Sequence, residues 1–306
     1  MKLHENAELF QNYIALASQE EEIDEAIVVK DYFVTLAIKK LYHVNEHLIF
    51  IGGTSLSKCF GIINRFSEDI DLVATASSRK AKQRETSEAI QDIKNTWNGM
   101  VEEQNKQSSD FKEMYLHYPF QLITELDQRV KIELITFMEP FPIIEKKIVP
   151  IIYKYLEESE KEEYEIYQIV VKTQEPYRTM IEKTLLEKEL FKEFLQGISS
   201  DESQEKRARD FYDIHKIWLY YKKELPINTL ELKRMIESRL SNRKSRTKIF
   251  IEELKEFHLL EMFDKRNIGK QLISVDQRKL SIRDLNIADI MTSLEEIDSY
   301  FSNSKL

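Results

Sequence analysis

The chain has 306 residues, 42% of them hydrophobic and 32% charged, with a formal net charge of −9. That balance excludes an intrinsically disordered chain, and the length allows two sub-domains with a core each. The negative charge argues against wholesale non-specific nucleic-acid binding, while leaving room for a local basic patch.

In chain order, Leu9 to Leu16 and Glu20 to Tyr42 read as helices, the second with Ile27, Val28, Val34, Ile38 and Leu41 at helical spacing. Leu48 to Ile51 is an apolar run of strand length, stopped by Gly52-Gly53. With only six glycines in the chain, the pair stands out. It permits a sharp turn and a close backbone approach to a ligand. Thr54 and Ser55 supply hydroxyls and read as N-caps of a helix through Lys58 to Ile63. The amides of such a turn and helix start form an anion site.

Asp69-Ile70-Asp71-Leu72-Val73 alternates polar and apolar, so on a strand Asp69 and Asp71 share one face. Two carboxylates about 4 Å apart repel by roughly 4 kcal/mol at an effective dielectric near 20. Hard oxygen ligands of this kind suit Mg²⁺ bridging a substrate phosphate. A phosphate-cradling turn followed by a metal-binding acid pair describes a nucleotide site.

Further on, Lys80 to Gln104 reads as a long polar helix with Ile90, Ile93, Trp97 and Met100 inside. Tyr115 to Leu126 and Arg129 to Phe137 read as strands turning at Asp127-Gln128. Glu133 interrupts the apolar run of the second strand, and a buried acid needs a partner or a metal. Lys131 is the competing structural partner. Lys146 to Tyr153 and Glu165 to Lys172 are further strand candidates, separated by a charged loop, Glu157 to Glu163. Pro176 reads as a helix start, which places the expected boundary between domains 1–174 and 175–306. In the second half, Arg209, Asp213 and Lys216 fall on one helix face. Lys233, Arg234, Arg239, Arg243, Lys244, Arg246 and Lys248 make a basic stretch, readable equally as an RNA surface or as solvated helix faces. A final amphipathic helix is expected over Ile282 to Tyr300.

The strings GGTSLSK and RFSEDIDL, with the lead-in helix Lys30-Asp31-Tyr32-Phe33-Val34-Thr35, resemble the AbiEii/AbiGii-type toxin nucleotidyltransferases of the DNA polymerase β-like superfamily. The resemblance extends to about Trp218. It implies an α+β fold, a polymerase β-like mixed sheet with flanking helices, followed by a C-terminal helical domain. It implies Mg²⁺-dependent transfer of a nucleoside monophosphate from an NTP to an RNA, commonly tRNA, with Asp69 and Asp71 holding two Mg²⁺ ions. Glu133 matches the third carboxylate, although the superfamily more often has Asp there. Gly52, Gly53, Thr54, Ser55 and Lys58 would grip the triphosphate, and Arg65 would touch phosphate or tie its loop to Glu68. Lys183, preceded by Glu182, matches a phosphate-facing lysine, while Asp213 and Lys216 match an Asp-x-x-Lys motif. There Lys216 would hold phosphate and Asp213 would orient it or assist proton transfer. The family also implies a cognate antitoxin and a role in phage defence.

Two other readings stay open at this point: a nucleotidyltransferase acting on a protein or small molecule, and a non-catalytic nucleotide-binding regulatory module. Zinc spacing, a G-x-S-x-G context and a Walker A pattern are all absent from the sequence. No apolar run nears the roughly 20 residues of a membrane span, and MKLHENAELF lacks a signal-peptide core. The single cysteine, Cys59, excludes an internal disulfide and reads as core packing. A cytoplasmic location without a membrane partner is therefore expected.

Overall fold

A computed structural model describes residues 2–63, 65, 69–104, 108, 110–119, 128–198, 204–242, 255–256, 258–278 and 285–303. It divides into two compact units, residues 1–60 with 66–174 and residues 61–65 with 175–306.

The first unit begins with α1 (Ala7–Glu21), capped by the Asn6 side chain on Leu9 N–H. It ends where Glu22 turns left-handed, and Asp24 caps the next helix, α2 (Glu25–Val44). The continuous helix expected from Glu20 is therefore broken at 22–24. There follow β1 (Leu48–Ile51), α3 (Gly52–Phe60), β2 (Asp69–Ala74) and α4 (Arg79–Thr96). Then come β3 (Val101–Glu103), β4 (Phe111–His117), β5 (Arg129–Ile135), β6 (Ile143–Ile148), α5 (Glu158–Glu163) and β7 (Ile169–Gln174).

The strands form one mixed sheet in the order β3-β4-β5-β2-β1-β7-β6. β2 runs parallel to β5 and β1 parallel to β7; the other neighbours are antiparallel. Period-2 alternation divides its two faces. On one face Phe50, Ile70, Leu72, Met114, Leu116, Ile132 and Leu134 pack with Phe10, Ile14, Phe33, Ile38, Ile90 and Ile93 of the helices. Phe33, fully buried, stacks on Tyr118 with ring centroids 4.4 Å apart and contributes about 1 kcal/mol beyond its area burial. On the other face Ile49, Ile51, Val73 and Ile135 form a small apolar cluster, backed by Phe111 and Met138. Asp69 and Asp71 of β2, Glu113 and Tyr115 of β4, and Lys131 and Glu133 of β5 share that second face.

Several elements differ from the sequence expectation. The long helix from Lys80 stops at Thr96, and 101–103 instead pair with β4 as an edge strand. Trp97 is buried at that break, its indole donating to His117 O at 2.8 Å, whereas Met100 is exposed. The charged 157–163 segment is helical, closed by a capping box between Glu157 and Glu160. A 3-10 turn, Ile151–Tyr155, replaces the end of the expected strand from Lys146. The expected turn at Asp127 and the end of the expected strand at 120–126 lie outside the described residues.

The second unit is helical: α6 (Pro176–Leu195, with Pro at its first turn), α7 (Gln204–Tyr220), α8 (Thr229–Asn242), α9 (Leu259–Lys265), α10 (Ile268–Arg278) and α11 (Ile287–Asn303). Met180, Leu185, Phe211, Ile214, Leu272 and Leu294 are among its buried residues, while Leu195 is half exposed. Of the basic stretch, Lys233 and Arg234 are exposed on α8, and Arg243, Lys244, Arg246 and Lys248 lie outside the described residues. No helix among the described residues is long and apolar enough to cross a membrane.

Candidate active site

Antiparallel register between β1 and β2 sets Ile51 opposite Asp71, so the end of β1 delivers the chain to the acid pair. α3 starts directly at Gly52, two residues earlier than the hydroxyl caps would predict, and ends at Phe60 instead of Ile63. Gly52 has φ +79°, and a Cβ there would lie 2.1 Å from Asp71 Oδ2. Both facts require glycine. The first turn of α3 therefore abuts the Asp71 carboxylate.

The hydroxyls that sequence assigned to phosphate are engaged locally. Thr54 Oγ1 donates to Asp69 O and fastens α3 to the start of β2, while Ser55 Oγ donates to Gly52 O at 2.8 Å. What remains for an anion at this turn is the backbone. Lys58 is likewise engaged: its ammonium pairs with Asp31 of α2, and both side chains are about one-tenth exposed or less. Asp31 also accepts from Ile151 N–H at 2.7 Å. The lead-in helix and the glycine helix are thus joined by a buried ion pair.

Asp69 and Asp71 do share the second face of the sheet, both half-buried and alternating with the buried Ile70 and Leu72. Parallel pairing puts Asp71 beside Glu133 and Asp69 beside Lys131. Antiparallel pairing of β5 with β4 then puts Glu113 beside Glu133 and Tyr115 beside Lys131. A row of three acids, Asp71, Glu133 and Glu113, crosses three strands, with Lys131 in the next row. Its ammonium bonds to Glu133 and lies 3.2 Å from Glu113. Burial, then Glu133 and Asp69, push the Asp71 carboxyl well above the ordinary carboxylate range, and Lys131 offsets this only in part. Burial alone would lower Lys131, but Glu133, Asp69 and Glu113 override it and hold the ammonium charged.

The second unit has its own charge cluster. Arg65 donates to Asp213 through Nε at 2.7 Å and Nη2 at 2.6 Å, both side chains being fully buried. Lys183 of α6 bonds to Asp210 of α7 and lies 3.1 Å from Asp213. Burial by itself would raise Asp213; Arg65 and Lys183 outweigh it and hold the carboxyl below its usual range. The two cations and two carboxylates compensate one another. Arg65 thus binds Asp213 through two guanidinium nitrogens, and Asp213 is the carboxylate partner of both Arg65 and Lys183. Lys216 is half-buried one turn from Tyr212, its ammonium 6.0 Å from that ring.

The sequence model of the family described as nucleotidyl transferase AbiEii toxin, type IV toxin–antitoxin system, matches residues 39–283. The chain belongs to the AbiEii family. It is accordingly a nucleotidyltransferase toxin of a type IV toxin–antitoxin system, with a nucleotide substrate and an antitoxin partner. Among curated proteins, none matches the chain closely enough to count as a relative.

In this AbiEii chain the second face of the sheet brings together Gly52, Asp69, Asp71 and Glu133. It adds Glu113 and Tyr115, which the sequence did not single out. Alternation within Phe111–His117 carries the signal for both, since Glu113 and Tyr115 alternate with the buried Met114 and Leu116. Assigning them to the acid face needs the β4–β5 register as well. Around Asp71 the donor set is all oxygen, and the carboxylates of Asp69, Asp71, Glu133 and Glu113 outnumber the Lys131 ammonium among them, which fits a hard divalent cation such as Mg²⁺. Among the described residues no three His, Cys, Asp or Glu side chains are gathered into a metal nest as they stand. The pairing of Glu133 with Lys131 accounts for that.

Proposed function

We propose that this AbiEii toxin transfers a nucleoside monophosphate from an NTP to a hydroxyl of an RNA, with tRNA the favoured acceptor, and releases pyrophosphate. The acceptor oxygen attacks the α-phosphorus, the bond from that phosphorus to the bridging oxygen breaks, and the hydroxyl proton leaves to solvent. The observation that carries the reading is the apposition of Asp71, beside Glu133 on the neighbouring strand, to the first turn of α3. An acid site for a cation and a helix start for an anion meet at one glycine.

Asp69, Asp71 and Glu133 would hold two Mg²⁺ ions, which when bound neutralise the phosphates and make the acceptor hydroxyl more acidic. The amides at the start of α3 orient the phosphate chain. Thr54 keeps those amides in place by its bond to the β2 backbone. The requirement for glycine at position 52 keeps the acids close to the start of α3.

The test is a label-transfer screen with each of the four α-labelled NTPs against purified tRNA and against total protein. Label in tRNA with one NTP, lost at least a hundredfold in Asp71→Ala and Asp69→Ala, is the expected result. Label in the protein fraction alone would replace the RNA acceptor. Full activity in either aspartate variant would refute the site.

A further inference from the structure

Lys131 is an unusual residue for the centre of this face. Its ammonium is the cation among Asp69 in its own row and Asp71, Glu133 and Glu113 in the adjoining one, and it touches two of those acids. One of them, Glu133, is a proposed cation ligand. The other, Glu113, is one strand further out, directly opposite Glu133 in the antiparallel register. Tyr115, two residues from Glu113 on β4 and on the same face, lies opposite Lys131 in that register. A lysine stem reaches either acid from one Cα by rotation about its own bonds, with no change in the sheet.

We propose that Lys131 is a built-in counter-ion that occupies Glu133 until a divalent cation arrives, and that Glu113 is the acceptor to which Lys131 then withdraws. This rests on the reading of Asp69, Asp71 and Glu133 as the cation ligands. Lys131 is then a positioning residue. While it pairs with Glu133 it keeps like charges in a half-buried row from repelling one another. When Glu133 turns to the cation, Lys131 keeps a carboxylate partner in Glu113 and leaves no orphaned buried charge. Glu113 thereby favours loading without touching the cation. The arrangement also explains why the acids, though adjacent in register, form no ready-made metal nest among the described residues. Removing Lys131 favours cation binding, because a competitor for Glu133 is gone. Removing Glu113 disfavours it, because Lys131 has nowhere else to go.

A simple field effect of the two charges would give the same signs, so the deciding measurement is a double-mutant cycle. Mn²⁺ affinity is measured by the electron paramagnetic resonance of free Mn²⁺, without nucleotide or turnover, on wild type, Lys131→Met, Glu113→Gln and the double variant. Lys131→Met should bind Mn²⁺ about tenfold more tightly and Glu113→Gln several-fold more weakly, the size expected of one nearby charge in a half-buried setting. The double variant should match Lys131→Met, since Glu113 acts only through the lysine. Additive effects, or weaker binding in Lys131→Met with its thermal transition unchanged, would overturn the counter-ion role. Should Lys131→Met fold poorly, Lys131→Gln takes its place in the same cycle. If instead wild type binds no Mn²⁺, or Asp71→Asn leaves its binding intact, the cation-site reading itself fails, a result distinct from failure of the cycle.

Discussion

At the scale of single residues, the tightest constraint is Gly52. Its backbone lies in the left-handed region, and the space a side chain would need is filled by the Asp71 carboxylate. The Asp71 side chain leaves the Cβ of an alanine no room unless it shifts. Gly52→Ala should cost about 1–3 kcal/mol of stability from strain and displaced packing. It should lower label transfer far more, because Asp71 must move away from the start of α3. Denaturant unfolding and the transfer assay on one preparation check both effects. An alanine variant with wild-type activity would show that the acid and the helix start need not meet. Lys58 belongs at the same scale and teaches the opposite lesson. In sequence it looks like a phosphate lysine, yet its ammonium is directed into the protein, onto Asp31.

At the scale of elements, that pair joins α2 to the last turn of α3. Lys58→Met leaves the Asp31 carboxylate buried with, among the described residues, the Ile151 amide as its remaining partner. The loss should be about 3–5 kcal/mol. Replacing both residues, as Asp31→Leu with Lys58→Met, should restore much of it, as happens when a buried pair gives way to apolar groups of similar volume. Thermal unfolding of the single and double variants is the check; an unaltered single variant would mean that Lys58 is available to ligand. Such pairings explain what could be read in advance. The acid strand was legible because alternation with period 2 is local, and Asp69 and Asp71 needed no partner strand to define their face. The break after Thr96 was not, since no proline or glycine pair marks it and Trp97 continues the helical spacing. Glu157 to Glu163 looked like a loop on charge alone, but a capping box at its start closes a helix there. Glu113 and the double engagement of Lys131 depend on the register of β4 against β5, which local pattern does not fix.

At the scale of the whole molecule, each unit carries one buried, neutral histidine that makes its stability sensitive to acid. In the first unit His4 lies 3.0 Å from the Tyr32 hydroxyl, and burial lowers it to about 4. In the second, His215 lies 2.9 Å from the Ser293 hydroxyl and is likewise lowered to about 4 by burial and then by Lys216. An unfolded histidine takes its proton near pH 6.5, whereas these folded ones do not. Between pH 6.5 and 4 the unfolded state therefore binds more protons, and stability falls as pH falls. At pH 5 the gap is roughly 1.5 pH units, or about 2 kcal/mol for each histidine. The chain has two tryptophans, Trp97 in the first unit and Trp218 in the second, so each unit has its own fluorescent reporter. Single-tryptophan variants unfolded in urea at pH 7 and pH 5 should show the loss at both positions. His4→Gln should recover about 2 kcal/mol of the pH 5 loss reported by Trp97, and His215→Gln the same at Trp218. Because carboxylates titrate in the same range, the comparison is between variant and wild type at each pH and not between the two pH values alone. An equal loss in wild type and glutamine variants would place the acid sensitivity on the carboxylates and leave both histidines out of it.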